Sequence, residues 1–364
     1  MDTLVDDKTG DLMGKKYRVR LDVILEVDGE KLMDSRLARI LLLIEKHGSI
    51  LAAARTLGIP YSRAWDYILK AERVYGDKIV EARRGGRRGG GARLTEKGKK
   101  LLREYLDIYR RLTKRDLEVK EIRIIPPDIE YMGSHDPGVN RISAIMREKY
   151  GLVMDHQWIG SGLGIASIVM GEADLAGIHI YDRDTDNYNL PYIRKSIYSS
   201  HIALIRGYKR SIGFATRHRM SIDEILDGLL SGKLVLVNRQ KASGTRILLD
   251  TLIMVKTGYE NLDEIVSKIK GYEDEVNTHF EVAEKVASGE ADVGLCIEWV
   301  AKQYGLEFIR IKWEHFDFVV SRESIHSEWF EKLVETLRSD EFRSYMSGLK
   351  GYEIPDDIGT IIYP

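Results

Sequence analysis

The chain has 364 residues, a formal charge of -1 from 56 basic and 57 acidic side chains, and a single cysteine. That length exceeds one compact domain, the even charge confines any nucleic-acid surface to a local patch, and one thiol excludes both an intramolecular disulfide and a Cys-rich zinc site. The opening MDTLVDDKTG has acids where a secretion signal has cations, and no run reaches the roughly 20 apolar residues of a membrane span, so a cytoplasmic protein without membrane contact is expected. The 31 per cent of charged residues, with Cys almost absent, matches the composition of thermophile proteins.

Residues 1–16 carry no periodic signal, and alternating apolar residues from Tyr17 to Val27 predict a strand that turns at Asp28-Gly29. Asp34 or Ser35 caps a helix through His47, Ser49 caps a second through Arg55, Gly58 breaks it, and an apolar-periodic run restarts at Tyr61, which is the spacing of a helix-turn-helix. Between Glu81 and Arg103 nine Lys and Arg face two acids, and Arg83, Arg84, Arg87 and Arg88 are interleaved with glycines as in a hairpin tip that lies against phosphates. The start of the recognition helix is what reaches base edges, so Tyr61, Ser62 and Arg63 are the expected readers, with Ser49 on the backbone and the four arginines supplying affinity without sequence choice. Trp65 and Ile68 fall on the core face. From Glu96 to about Glu118 an apolar stripe of Leu101, Leu102, Tyr105, Ile108, Tyr109 and Leu112 predicts a long helix that pairs with a copy of itself.

SILAAARTLGIPYSRAWDYI, the Arg/Gly wing and LTEKGKKLL resemble the winged helix-turn-helix of molybdate-responsive ModE-type regulators and, more distantly, of LysR-type regulators. The resemblance covers about residues 17–112. It implies double-stranded DNA as a partner and a homodimer or higher homo-oligomer formed through the long helix.

After Pro126-Pro127 strands and helices alternate with short connections, as in two α/β lobes. Strands are expected at Glu121–Ile125, near Glu130 and at Met154–Ile159, Leu175–Ile180, Leu234–Asn238 and Val293–Ile297, with Ile202–Arg206 and Phe316–Val320 as crossing strands of a hinge. Three strand-to-helix junctions share one chemistry: Gly133-Ser134-His135-Asp136, Gly160-Ser161-Gly162 and Ser243-Gly244-Thr245-Arg246 each bring a hydroxyl and open backbone N–H groups to a helix start, where an anion is the natural occupant. No P-loop or G-x-G-x-x-G spacing is present, so a nucleotide is not expected. His135, His179 and His201 lack metal-ligand spacing, Cys296 reads as a core thiol, and no catalytic arrangement is legible, so neither a metal nor an enzyme is expected.

GSHDPGVN, GSGLGIASIVMGEADLAGIH, RQKASGTR and EVAEKVASGEADVGL, in that order, look like the periplasmic-binding-protein-like domain of molybdate and tungstate binders, over about residues 121–338. The resemblance implies a tetrahedral oxyanion, molybdate or tungstate, as effector in place of any cofactor. Its ligands would be Ser134, Ser161, Gly162, Ser243, Gly244 and Thr245, with Arg246 as charge partner. The first segment departs from the tungstate pattern at Gly133 and Pro137, where hydroxyls are expected. The expected architecture is an α+β winged helix-turn-helix over 1–95, a dimerisation or linker helix over 96–119, and an α/β two-lobed, type II periplasmic-binding-protein-like domain over 120–364, lobe 1 taking about 120–203 and 319–364 and lobe 2 about 204–318. The function implied is an oxyanion-sensing transcription regulator; the alternatives are a regulator of the same build for a small organic anion and an accessory protein of molybdenum-cofactor assembly.

Overall fold

In the computed structural model, which describes residues 9–12, 15–18, 22–83, 91–119, 127–196, 199–241, 243–259 and 261–364, the chain divides into two units. The first holds Met1–Pro126 with Met170–Glu172, and the second holds Pro127–Val169 with Ala173–Pro364. Among the described residues no helix is long and apolar enough to cross a membrane.

The first unit opens with the hairpin β1 (Thr9–Leu12) and β2 (Lys15–Arg18). A second hairpin, β3 (Leu25–Val27) and β4 (Glu30–Met33), turns at Asp28 and Gly29, both with positive φ, the geometry a two-residue connection needs to match strand twist. Three helices follow: α1 (Ser35–His47), α2 (Ile50–Leu57) and α3 (Tyr61–Tyr75). Asp34 starts α1 by accepting from the amides of Arg36 and Leu37, and Ser49 starts α2 by accepting from Ala52. Gly58, left-handed at φ 63°, ends α2 and sets the turn into α3. The wing is the antiparallel pair β5 (Val80–Arg83) and β6 (Gly91–Leu94), in register from Val80 opposite Leu94 to Arg83 opposite Gly91.

Helix α4 (Glu96–Thr113) is shorter than its sequence pattern predicts, because Lys114 takes a left-handed cap whose amide donates to Arg110. Its apolar stripe is covered within the chain: Leu101, Leu102, Tyr105 and Tyr109 are buried, and the Tyr105 hydroxyl donates to the Val23 carbonyl at 2.8 Å. A second copy is thus not needed to satisfy that stripe, although Leu112 at its end stays exposed. The expected strand at Glu121–Ile125 lies outside the described residues.

The second unit is built on one large sheet. In chain order its elements are β7 (Ile129–Gly133), α5 (Pro137–Tyr150), β8 (Met154–Trp158), α6 (Gly160–Val169), β9 (Leu175–Ile178), the short pair β10 (Tyr181–Asp182) and β11 (Asn187–Tyr188), α7 (Leu190–Lys195) and the long β12 (Ile202–Thr216). Then come α8 (Ile222–Leu230), β13 (Leu236–Arg239), α9 (Gly244–Thr257), α10 (Asp263–Val266), β14 (Glu275–Val276), α11 (His279–Ser288), β15 (Val293–Ile297), α12 (Glu298–Gln303), the long β16 (Glu307–Ser321), α13 (Glu328–Arg338) and α14 (Asp340–Ser347).

The strand order is β14-β13-β15-β12-β16-β9-β7-β8. The parallel strands β7, β8 and β9 sit on one side of the antiparallel pair β12 and β16, and the parallel strands β13, β14 and β15 on the other. Because β12 and β16 run through both halves, they join two separate cores. One core gathers Tyr131, Ile142, Met146, Phe318, Trp329 and Leu333, the other Ile225, Leu236, Leu249, Val282, Leu295 and Cys296. Register shifts between Ile205 and Tyr208 and between Ile212 and Gly213 bend the shared strands where the cores meet. Truncating Phe318, fully buried in the first core, to Ala should destabilise this unit by about 3–5 kcal/mol, measured as a lower denaturation midpoint in urea.

Candidate functional site

Between the two bends, Arg210 on β12 lies directly opposite Glu314 on β16. Arg210 Nε donates to Glu314 at 2.5 Å and Nη1 donates to Asp136 at 2.7 Å, with all three side chains fully buried. Asp136 starts α5 by accepting from Gly138 and also accepts from the hydroxyls of Tyr208 at 2.6 Å and Tyr352 at 2.8 Å. Burial alone would raise the Glu314 carboxyl, but Arg210 and His179 outweigh it and hold it at about 2. Arg210 Nη2 is buried and has no hydrogen-bond partner among the described residues.

Above this pair the predicted helix starts come together. Ser134, after β7, and Ser161, in the first turn of α6, have hydroxyl oxygens 3.0 Å apart, and the Ser161 oxygen accepts from the His179 amide at 3.1 Å. Helix α6 begins at Gly160, with φ 80°, so Ser161 and Gly162 present first-turn amides, as does α9 through Gly244 and Thr245. Gly244 approaches the end of β9 so closely that a Cβ on it would stand 2.2 Å from the His179 carbonyl oxygen. His179 is therefore the point at which helix starts from both lobes meet.

Hydroxyls cap helices elsewhere in the chain: Ser49, Thr95, Ser221 and Thr278 each accept from the amide three residues on. Ser243 does not, although it occupies the same position on α9. Among the described residues its hydroxyl and that of Thr245 are buried without a partner, whereas polar groups in protein interiors are nearly always paired.

The charge around these groups does not come from Arg246. That guanidinium lies 4.0 Å from the Tyr272 ring centre and pairs with Glu275 at 3.3 Å and Asp250 at 3.6 Å, so its direction along α9 takes it away from the helix start. Two arginines that sequence reasoning passed over supply it instead. Arg210 is one. Arg239, at the end of β13, is buried and among the described residues makes no salt bridge; it donates to His279 Nδ1 at 3.1 Å, to the Asn277 carbonyl at 2.7 Å and to Gln240 at 3.2 Å. Burial first and Arg210 second bring Arg239 down to about 10. Arg239 stands four residues before Ser243 and was open to a reading of that segment, whereas Arg210 and Glu314, 104 residues apart, carry no sequence signal of their meeting.

Three imidazoles border the cluster. Burial brings His135 down to about 4, lowers His179 against the pull of Glu314, and lowers His279, where Arg239 and Arg210 add to the effect. Among the described residues no group of His, Cys, Asp and Glu is placed to hold a metal ion. Cys296 is a buried thiol that burial pushes up to about 12.

In the first unit, Arg63 is exposed and Ser62 half-buried near the start of α3, while Ser49 caps α2. Tyr61, expected among the base readers, is instead buried, on the face it shares with Ala64, Ile68 and Ala71, its ring edge-on to half-buried Trp65 at 6.4 Å. That spacing of three, seven and ten residues is the inward stripe of the helix. Arg83 ends β5, and Arg84, Arg87 and Arg88 lie outside the described residues.

Replacing Glu314 by Gln leaves Arg210 with one carboxylate and should cost about 3–5 kcal/mol of stability, read from urea unfolding at neutral pH. The pH dependence has a definite sign. With Glu314 held at about 2 against an ordinary 4.5, its contribution is complete above pH 4.5 and is lost as the pH falls toward 2, so the gap between wild type and Glu314→Gln should narrow across that window.

Comparison with known proteins follows the same division. The profile of the PBP superfamily domain matches residues 142–338, and that of the bacterial regulatory helix-turn-helix proteins of the lysR family matches residues 35–99. The uncharacterized protein YvgK of Bacillus subtilis is 29% identical over 196 residues, covering 53% of this chain and 61% of that protein. The molybdenum-pterin-binding protein MopA of Rhodobacter capsulatus is 41% identical over 76 residues, 21% of this chain and 29% of that one, and the molybdenum transport protein ModE of Azotobacter vinelandii is 34% identical over 90 residues, 25% and 33%. The chain thus spans less than two thirds of the length of each of these relatives. Among solved structures, full-length BenM covers 88% of this chain and 99% of its own at 17% identity and a TM-score of 0.39. Over more than half its length the chain belongs to the PBP superfamily domain family, with a LysR-type helix-turn-helix region ahead of that domain.

Proposed function

We propose that this chain is a DNA-binding transcription regulator, acting in the cytoplasm as a homodimer and without enzymatic activity, that holds a tetrahedral oxyanion, molybdate or tungstate, between the lobes of its PBP domain. The observation that carries the reading is a set of buried donors without a hydrogen-bond partner among the described residues: the hydroxyls of Ser243 and Thr245, at the α9 start that meets His179, and Nη2 of Arg210 on β12. Ser134 and Ser161 add two hydroxyls, Gly162, Gly244 and Thr245 add first-turn amides, and Arg239 adds a buried cation that makes no salt bridge among the described residues. A small dianion with four acceptor oxygens satisfies such a set, whereas a cation or an apolar ligand does not. The helix-turn-helix match and the exposed Arg63 support the DNA half, and the names of the MopA and ModE relatives support molybdenum as the element. Arg246 then serves as a strut that braces α9 against Tyr272 and Glu275, held by Asp250 one turn on.

Switching requires that the anion favour one arrangement of the lobes over another, because a ligand that binds two states equally shifts neither. Lobe closure on the anion is the differential contact, and the bent strands β12 and β16 are where it acts.

A thermal-denaturation screen of molybdate, tungstate, sulfate, phosphate and small organic acids tests the ligand. Molybdate or tungstate at about 100 times its Kd should stabilise the protein by about 2.7 kcal/mol, whereas a response to organic acids alone would replace the oxyanion by an organic anion. Ser243→Ala combined with Thr245→Val should weaken the anion at least about tenfold in calorimetric titration, each lost hydrogen bond to a charge being worth about 1.5–3 kcal/mol. For DNA, Arg63→Ala should relax sequence preference by about 1–3 kcal/mol, while Arg87→Ala with Arg88→Ala should weaken all duplexes alike and flatten the salt dependence, both read by fluorescence anisotropy. Unchanged binding in both variants would reject this docking.

A further inference from the structure

The charges buried around the cleft already cancel. Arg210 and Arg239 are the cations, Asp136 and Glu314 the anions, and all four are inaccessible to water. Molybdate and tungstate are dianions at neutral pH, so seating either beside Ser161 and Gly244 leaves a buried excess of negative charge, which a low-dielectric interior opposes strongly. A proton taken up by one of the neighbouring imidazoles is the compensation these residues can provide. We propose that the anion is bound together with a proton, and that His179 carries it. This inference rests on the oxyanion reading given above.

Geometry separates the three imidazoles. His279 Nδ1 stands 3.1 Å from Arg239 Nη1, and since a guanidinium can only donate, that nitrogen is committed as an acceptor and the ring is held neutral. His135 has a buried Nδ1 without a partner, and its ring meets the edges of Trp158 at 4.7 Å and Phe280 at 5.8 Å rather than a carboxylate. His179 alone has one, with Nδ1 3.2 Å from Glu314 Oε2. As Glu314 is ionised, Nδ1–H donates to it, and the added proton goes to Nε2.

The other groups that face His179 explain why it is neutral before the anion arrives. Arg210 on β12, Arg239 on β13 and the positive end of α9 at Gly244 oppose a second cation there, neutral His279 on α11 adds no charge, Phe316 stacks parallel to the ring at 6.0 Å, and Glu314 favours it. A dianion held by the hydroxyls and first-turn amides of Ser161, Ser243 and Thr245 screens the first set and adds to the second. Free and bound states then differ by one proton, and affinity is linked to pH: wherever the bound ring is protonated and the free ring is not, Kd rises about tenfold for each unit of pH.

Calorimetric titration of the full chain with sodium molybdate and with sodium tungstate, in two buffers of different ionisation enthalpy free of phosphate and sulfate, reads the proton number directly. Uptake of about one proton per anion near pH 7, with affinity falling between about pH 6.5 and 8.5, is the expected result. Tight binding with no buffer dependence and a flat affinity over that range would overturn the proton coupling while leaving the anion site standing. No binding of either anion at any of these pH values would overturn the anion site itself, and the coupling with it. His179→Gln should lose the proton uptake in the same titration. Uptake retained in that variant and lost in His135→Gln would move the proton to His135 and overturn the assignment to His179.

Discussion

The second unit depends on a guanidinium placed where two cores meet. Arg210 and Glu314 are cross-strand neighbours on two strands shared by both lobes, buried between two bends, with Asp136 reaching in from the start of α5. Burying such charges forfeits several kcal/mol of hydration per ion, and their attraction offsets this only when the remaining hydrogen bonds are made. Most of them are: Asp136 accepts from Tyr208, Tyr352 and the Gly138 amide, and Glu314 from Arg210 and His179. The exception is Arg210 Nη2, which is buried without a hydrogen-bond partner among the described residues. The pair thus interrupts what would be one continuous apolar sheet and separates two cores that can each stay packed while the strands between them flex.

The same residue types serve two purposes in this chain, and the difference is visible only in their partners. Ser49, Thr95, Ser221 and Thr278 spend their hydroxyls on the helix that follows, and two of these form complete capping boxes with Glu224 and Glu281. Ser243 begins a helix of the same kind yet leaves its hydroxyl unused, as does Thr245. Ser134 and Ser161 use theirs on each other. A buried donor without an acceptor among the described residues is expensive, and the oxyanion proposed above would supply one for Ser243 and Thr245.

In the first unit amphipathicity decides which side chains face outward. Helix α3 buries Tyr61, Ala64, Ile68 and Ala71 and leaves Arg63 exposed, so its first residue packs inward although it stands at the end that approaches a groove. A residue's distance from the helix start determines how far it reaches along the axis, but its rotation about that axis determines whether it reaches anything outside. Helix α4 teaches the same lesson: its stripe has the look of an interface, yet Tyr105 is buried within the chain, its hydroxyl donating to the Val23 carbonyl and its ring stacking on Tyr109.

Local chemistry made much of this protein legible without coordinates. Helix caps, left-handed glycines and apolar periods depend on neighbours within a few residues, and so Asp34, Ser49, Gly58, the Asp28-Gly29 turn and the hydroxyl-bearing helix starts could be read from the order of residues alone. Strand-helix alternation likewise implied two α/β lobes. The tertiary structure alone decided which charges meet. Arg210 and Glu314 are far apart in the chain and are joined only by strand register, Arg246 is turned away by the rotation of α9, and Tyr61 is turned inward by that of α3. Coulomb energy in a buried site depends on distance and accessibility in space, and neither is a property of sequence separation.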